Sequence, residues 1–129
     1  MRLHKFRSWN EVDNCFYYFK NGTYYNRDNY SILNFTLHHL FNWNNAEQYT
    51  GLLDMNKIEI HEGDKLFGRE EGDGETTAWT NMYYTVFYDA TSGAFKVKDK
   101  HTEENSSWCS YIDEVNDEYE VIGHIHETI

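Results

Sequence analysis

Asn21-Gly22 stands between two aromatic-rich runs, Cys15-Phe16-Tyr17-Tyr18-Phe19-Lys20 and Thr23-Tyr24-Tyr25-Asn26. A two-residue hairpin turn needs positive φ at both central positions, and Asn-Gly meets that need with little strain. Tyr- and Phe-rich flanks suit pleated, half-buried chain. The chain is thus committed near its start to antiparallel strands, and Leu3 to Trp9 adds a shorter strand upstream. Proline is absent from all 129 residues, so the remaining turns must be read from Gly, Asn and Asp.

From Thr50 onward the same β pattern continues. Asp54-Met55-Asn56 reads as a turn, followed by Ile58-Glu59-Ile60, a turn at Glu62-Gly63-Asp64, and Leu66-Phe67. Gly68 to Glu75 reads as a charged, glycine-bearing loop. Ala78 to Asp89 is the longest strand, with Tyr83, Thr85 and Phe87 on one face and Tyr84, Val86 and Tyr88 on the other. Aromatic residues on both faces predict that neither is freely solvated. Thr91-Ser92-Gly93 turns the chain into Ala94-Phe95-Lys96-Val97-Lys98, which alternates cleanly. Tyr119 to Glu127 reads as a last strand, with Val121 and Ile125 on one face and Ile122, His124 and His126 on the other. Residues 30–45 mix a helical spacing of Leu33, Leu37, Leu40 and Phe41 with β-formers, and predict a short helix or an irregular segment. Short strands without intervening helices predict a mainly β fold, a small barrel or roll with an N-terminal strand-rich extension.

Charge separates the two halves. Residues 1–51 carry five basic and four acidic residues, whereas residues 52–129 carry six basic and 18 acidic, within an overall net charge of −11. Such an asymmetry fits two surfaces with different roles, or subunits packed head to tail, and it also fits solubility alone. A bulk duplex-DNA or anionic-membrane binder is disfavoured. No apolar run reaches the length of a membrane span, and the first five residues lead into no signal-peptide core. Cys15 and Cys109 are too few for a disulfide framework, which predicts a reducing, cytoplasmic setting.

Three stretches carry a resemblance. Met1-Arg2-Leu3-His4-Lys5-Phe6-Arg7-Ser8-Trp9, the central Tyr49-Thr50-Gly51-Leu52-Leu53-Asp54-Met55-Asn56 with Glu59-Ile60-His61-Glu62-Gly63-Asp64, and the terminal Tyr119-Glu120-Val121-Ile122-Gly123-His124-Ile125-His126-Glu127 occur in this order. Together they resemble the opening, the TGLKDKNGKEIYEGD signature and the YEVIGNIYE ending of YopX-like proteins. Lys57 stands where that family has a turn glycine, which predicts the left-handed conformation on Asn56 instead. Leu53 and Met55 replace two lysines of that turn, and His124 and His126 replace Asn and Tyr. The resemblance implies a phage or prophage protein of a bacterial host cell, with an SH3-like barrel over residues 49–129 and a strand-rich part over residues 1–48. It implies no activity, because its signature consists of turns (Thr50, Gly51, Asp54, Glu62, Gly63, Asp64) and strand positions (Leu52, Glu59, Val121, Ile122, Gly123).

Candidate chemistry is sparse. His124-x-His126 on one face of a strand places two imidazoles near one ion, with Glu127 or His61 as a third ligand, but no partner has recognisable ligand spacing and two polar residues on a solvated face are the better reading. Asp54-x-Asn56 begins like a calcium loop and fails at Ile58, Glu59 and Lys65. The acidic run Asp113 to Glu118 reads as a solvated turn. Glu59, Glu62 and Asp64 are close in sequence, but Asp64 beside a turn glycine is better placed to cap backbone amides than to share a proton. Cys15 and Cys109 have no activating neighbours, and Gly72-Asp73-Gly74 is too acidic to cradle phosphate. No cofactor is expected, and no catalytic constellation rises above background.

A binding role follows instead. Residues 2–27 interleave basic and aromatic side chains, with Arg7, Trp9, Lys20, Tyr24 and Tyr25 as the candidate contact residues. The first expectation is a non-catalytic module that binds a host or phage protein and self-associates, with the acidic half steering basic partners. The second is a single-stranded nucleic-acid binder built on that N-terminal basic and aromatic segment.

Overall fold

A computed structural model describes residues 5–26, 40–71, 79–99, 109–114 and 117–127. Among the described residues ten strands follow in chain order: β1 (Lys5–Asn10), β2 (Cys15–Lys20), β3 (Thr23–Asn26), β4 (Glu47–Leu53), β5 (Glu59–His61), β6 (Asp64–Glu71), β7 (Trp79–Asp89), β8 (Ala94–Lys98), β9 (Ser110–Tyr111) and β10 (Glu120–His124). They form two five-stranded antiparallel sheets, ordered β3-β2-β1-β4-β5 and β10-β6-β7-β8-β9. The chain is mainly β. The expected barrel is not closed among the described residues, because β10 and β9 stand at opposite edges of the second sheet and pair only with β6 and β8. The chain divides into two compact units, Met1–Gly51 and Leu52–Ile129.

The first unit grows from local hairpins. Asn10 Oδ1 accepts the N–H groups of Val12 and Asp13 at 3.0 and 2.9 Å, turning β1 into β2. Asn21 and Gly22 both take positive φ, 48° and 90°, as the sequence requires, and set Lys20 opposite Thr23. Tyr17 and Phe41 centre the core, with Phe6, Phe19 and Tyr24 packed against them. Of the ambiguous segment 30–45, residues 30–39 lie outside the described residues, and Trp43–Asn45 forms a 3-10 turn. Ser8, fully buried, accepts the Asn42 N–H at 2.9 Å and donates to Asn45 Oδ1 at 2.7 Å, so this turn is tied to β1.

In the second unit Ile60, Leu66, Val86, Val97, Ile112 and Tyr119 form the core. The Tyr119 ring lies flat on the backbone of Gly68, where an added Cβ would stand 2.6 Å from the ring. Only glycine leaves room for it. Three sequence expectations are corrected here. β6 continues to Glu71 instead of breaking at Gly68, because its ladder with β7 runs from Lys65↔Thr85 to Glu71↔Trp79. Tyr83 is 59% exposed, so one face of β7 is solvated at that point. The last strand ends at His124, and a register shift between Val121 and Gly123 breaks its alternation, leaving both Ile122 and Ile125 exposed. The bulge adds a residue that a period of two cannot anticipate.

Candidate functional site

The central signature is a set of backbone clamps. Asp54 is buried, and its Oδ1 accepts the N–H groups of Asn56 and Ile58 at 2.8 and 2.9 Å. Its Oδ2 accepts the Val121 N–H at 2.8 Å, and the Met55 N–H reaches the Tyr119 carbonyl at 2.9 Å. The 54–58 turn is thereby held against the start of β10. Lys57, and not Asn56, takes the left-handed conformation, with φ 67°. The reason is the clamp: Asp54 fixes the amides on both sides of Lys57 and accepts the Lys57 N–H at its own carbonyl at 3.0 Å. Gly51 takes φ 86° at an exposed position within β4, while Thr50 and Leu52 beside it are half-buried.

The turn Glu62-Gly63 is built in the same way. Asp64 is buried, and its carboxylate accepts the His61 N–H at 2.8 Å. Gly63, at φ 81°, donates to the Val86 carbonyl and accepts the Ile125 N–H, each at 2.9 Å. Glu59 and Glu62 remain half-buried. Asp64 is committed to a backbone amide.

The histidine pair is less open than its spacing suggests. His126 falls in the turn after β10, and its N–H donates to His124 Nδ1 at 3.2 Å. His124 Nε2 lies 3.6 Å from the Glu127 carboxylate, and the two rings are 5.9 Å apart. Both nitrogens of His124 therefore face groups of the chain itself. No group of three His, Cys, Asp or Glu side chains converges as a metal site among the described residues. Cys15 is half-buried, and burial pushes the Cys109 thiol above its usual range.

The five candidate contact residues divide between two faces. Pairing of Lys5 with Lys20, Arg7 with Tyr18 and Trp9 with Phe16 places Arg7, Trp9 and Lys20 on one face of β1–β2, and Tyr18↔Tyr25 adds Tyr25. Trp9 meets Phe16 at 5.0 Å, and Tyr18 stacks on Tyr25 at 5.3 Å with 18° between the planes. Tyr24 belongs to the opposite face, against Phe19 at 5.0 Å and Phe41 at 5.7 Å. Arg7 is buried: its Nε donates to Glu47 Oε1 at 3.0 Å, and its guanidinium lies 4.2 Å from the Phe16 ring. Its charge is spent inside the unit.

Two surfaces escaped the sequence reading. The clamped turn presents Leu53, Met55 and Ile58 at 38%, 52% and 43% exposure. The departures at Leu53 and Met55 signal an apolar turn, but not that the chain holds it rigidly. The second surface is the face of β6–β8 that carries Lys65, Arg69, Lys96 and Lys98. Its signal is the period-two spacing within Lys65-x-Phe67-x-Arg69 and Lys96-x-Lys98.

A protein-family model described as YopX protein matches residues 5–128. The chain belongs to the YopX family. A search of curated proteins returned no match. In this YopX-family chain, Asp54, Gly63 and Asp64 of the central signature hold backbone turns. No helix among the described residues is long and apolar enough to cross a membrane.

Proposed function

We propose that this chain is a non-catalytic accessory protein of a phage or prophage, acting in the host cytoplasm by binding a protein partner. The observation that carries the reading is the turn from Leu53 to Ile58, which holds apolar side chains in water on a backbone fixed by Asp54. Exposed apolar groups on a preorganised turn lose little conformational entropy on docking. The surrounding unit is acidic, which favours basic partners at the encounter stage. Self-association is a second use of the same kind of surface.

The test is co-purification from the host with and without nuclease, comparing the natural chain with a Leu53→Lys/Met55→Lys variant. Lysine suits both exposed positions, so the variant retains the fold. A protein retained after nuclease and lost from the variant supports the reading. A partner that binds both chains equally places the contact elsewhere and defeats it.

A second reading, single-stranded nucleic-acid binding by the N-terminal segment, is favoured by the Tyr18–Tyr25 stack beside Lys20. Its contact residues are then Trp9, Lys20 and Tyr25 without Arg7. Charge reversal at Lys20 tests it, with loss of oligonucleotide retardation as the expected result.

A further inference from the structure

The unit Leu52–Ile129 is strongly acidic, yet its few cations are not scattered. Residues paired directly across antiparallel strands share a face. Lys65 pairs with Thr85, and Thr85 with Lys98; Phe67 pairs with Tyr83; Arg69 pairs with Asn81; Phe87 pairs with Lys96, and Lys96 with Tyr111. Four of the six basic residues between 52 and 129 therefore stand on one face of β6–β7–β8. The intervening residues Leu66, Val86 and Val97 turn into the core, so this is the opposite face, exposed at Arg69, Asn81, Tyr83 and Tyr111 and buried at Phe87.

Aromatic rings stand between the cations. Phe67 and Tyr83 lie 5.1 Å apart, with Tyr83 59% exposed. Lys96 Nζ sits 4.8 Å from the ring of Tyr111, which is 45% exposed, and Lys98 Nζ lies 5.6 Å from the Phe87 ring. Among the described side chains the face holds two carboxylates, Glu120 at its β10 edge and Asp89, which is paired with Lys96 at 2.9 Å. At physiological ionic strength the Debye length is about 8 Å, so acids farther away than that are screened at this face, whereas Asp64 beside Lys65 and Asp99 beside Lys98 oppose a bound phosphate. Strand spacing and rise put Tyr83 and Tyr111 about 16 Å apart, a span suited to two or three nucleotides.

We propose that this face of β6–β8 binds single-stranded nucleic acid, with Tyr83, Phe67 and Tyr111 stacking bases and Lys65, Arg69 and Lys98 holding the backbone. Exposed rings between cations form a stacking platform, and a duplex, whose bases are already stacked and paired, gains nothing from it. An acidic peptide satisfies the cations but leaves the exposed rings without a role. The inference is independent of the protein-docking turn and uses a different surface from the N-terminal segment.

The test uses the full chain and a fluorescein-labelled oligothymidylate, read by anisotropy across a salt series. Expected are binding at low salt, weakening as salt rises, and a loss of roughly 5- to 100-fold for Tyr83→Ala and for Tyr111→Ala. Lys65→Gln/Arg69→Gln lowers the slope of log affinity against log salt by about 1.4, the contribution of two phosphate contacts on a single strand. Leu53→Lys/Met55→Lys leaves oligonucleotide binding unchanged, so failure here and failure of the docking turn are read separately. Absence of binding at low salt overturns the proposal. So does binding that is indifferent to both tyrosines and lost on Lys20→Glu, which moves the site to the first unit, or binding that poly-glutamate displaces equally from natural and tyrosine-substituted protein, which marks an anion site only.

Discussion

The carboxylate of Asp54 accepts the backbone N–H of Val121, 67 residues further along, at 2.8 Å. The same side chain closes its own turn through Asn56 and Ile58, so one buried group holds two separate stretches of the unit. Asp54→Ala leaves three amides without this acceptor and costs about 3 kcal/mol. Asp54→Asn recovers only part of this, because its amide nitrogen must face an N–H. Urea denaturation checks both, and a loss below 1 kcal/mol for Asp54→Ala shows that other acceptors replace the carboxylate.

Arg7 and Glu47 make the corresponding tie in the first unit, with side chains only 6% and 10% exposed. Removing one partner takes the opposite charge away from a buried ion, so Arg7→Met or Glu47→Leu alone costs about 3–5 kcal/mol. The double variant Arg7→Met/Glu47→Leu is expected to cost less than either single change. Chemical denaturation of all four proteins closes the cycle. Charge reversal at Arg7 therefore reports on folding, and Lys20 is the position that reports on ligand binding.

Lys57 occupies a backbone conformation that disfavours a Cβ, at φ 67°. Lys57→Gly removes that strain but adds freedom to the unfolded chain, for a net gain of up to about 1 kcal/mol. A rise in the thermal midpoint is the expected readout. A fall shows that the Lys57 side chain supplies more than the strain it costs.

The hydrogen bond from Lys96, with help from Ser92, lowers the Asp89 pKa from 3.8 to about 2. A carboxylate depressed in the folded state stabilises the fold above its ordinary value, and that contribution is lost as pH falls from about 4 towards 2. NMR titration of the Asp89 carboxyl checks the direction. In Lys96→Gln it should titrate closer to 3.8, and an unchanged midpoint removes Lys96 as the cause.

Local chemistry was legible in the sequence, and pairing between distant strands was not. The Asn21-Gly22 turn could be read because its two positive φ values concern adjacent residues only. The turn before β8 was equally plain, since Gly93 at φ 68° sends its N–H back to the Asp89 carbonyl at 2.8 Å. Asp64 as an amide cap followed from its place after a turn glycine. By contrast, nothing near Arg7 points to Glu47, 40 residues away, so a residue marked for ligand contact proved internal. The bulge at Val121–Gly123 similarly broke an alternation that looked regular. The cationic face needed the register itself: Lys65 and Lys98 become neighbours only through Thr85 between them.

The order of these pairings also sets a timetable for biosynthesis. β1, β2 and β3 are successive hairpins, available as soon as they leave the ribosome. β10, which bonds β6, is made last, as are Tyr119 of the core and the Val121 amide that Asp54 awaits. At about 5–20 residues per second, the signature turn waits roughly 3 to 13 seconds for its partner. During that interval β6 has a bare edge and an unfilled hollow over Gly68. A nascent chain stalled in this window exposes a strand edge to its neighbours on the same message, so slow translation between β8 and β10 should favour aggregation of this half while the first hairpins stay intact.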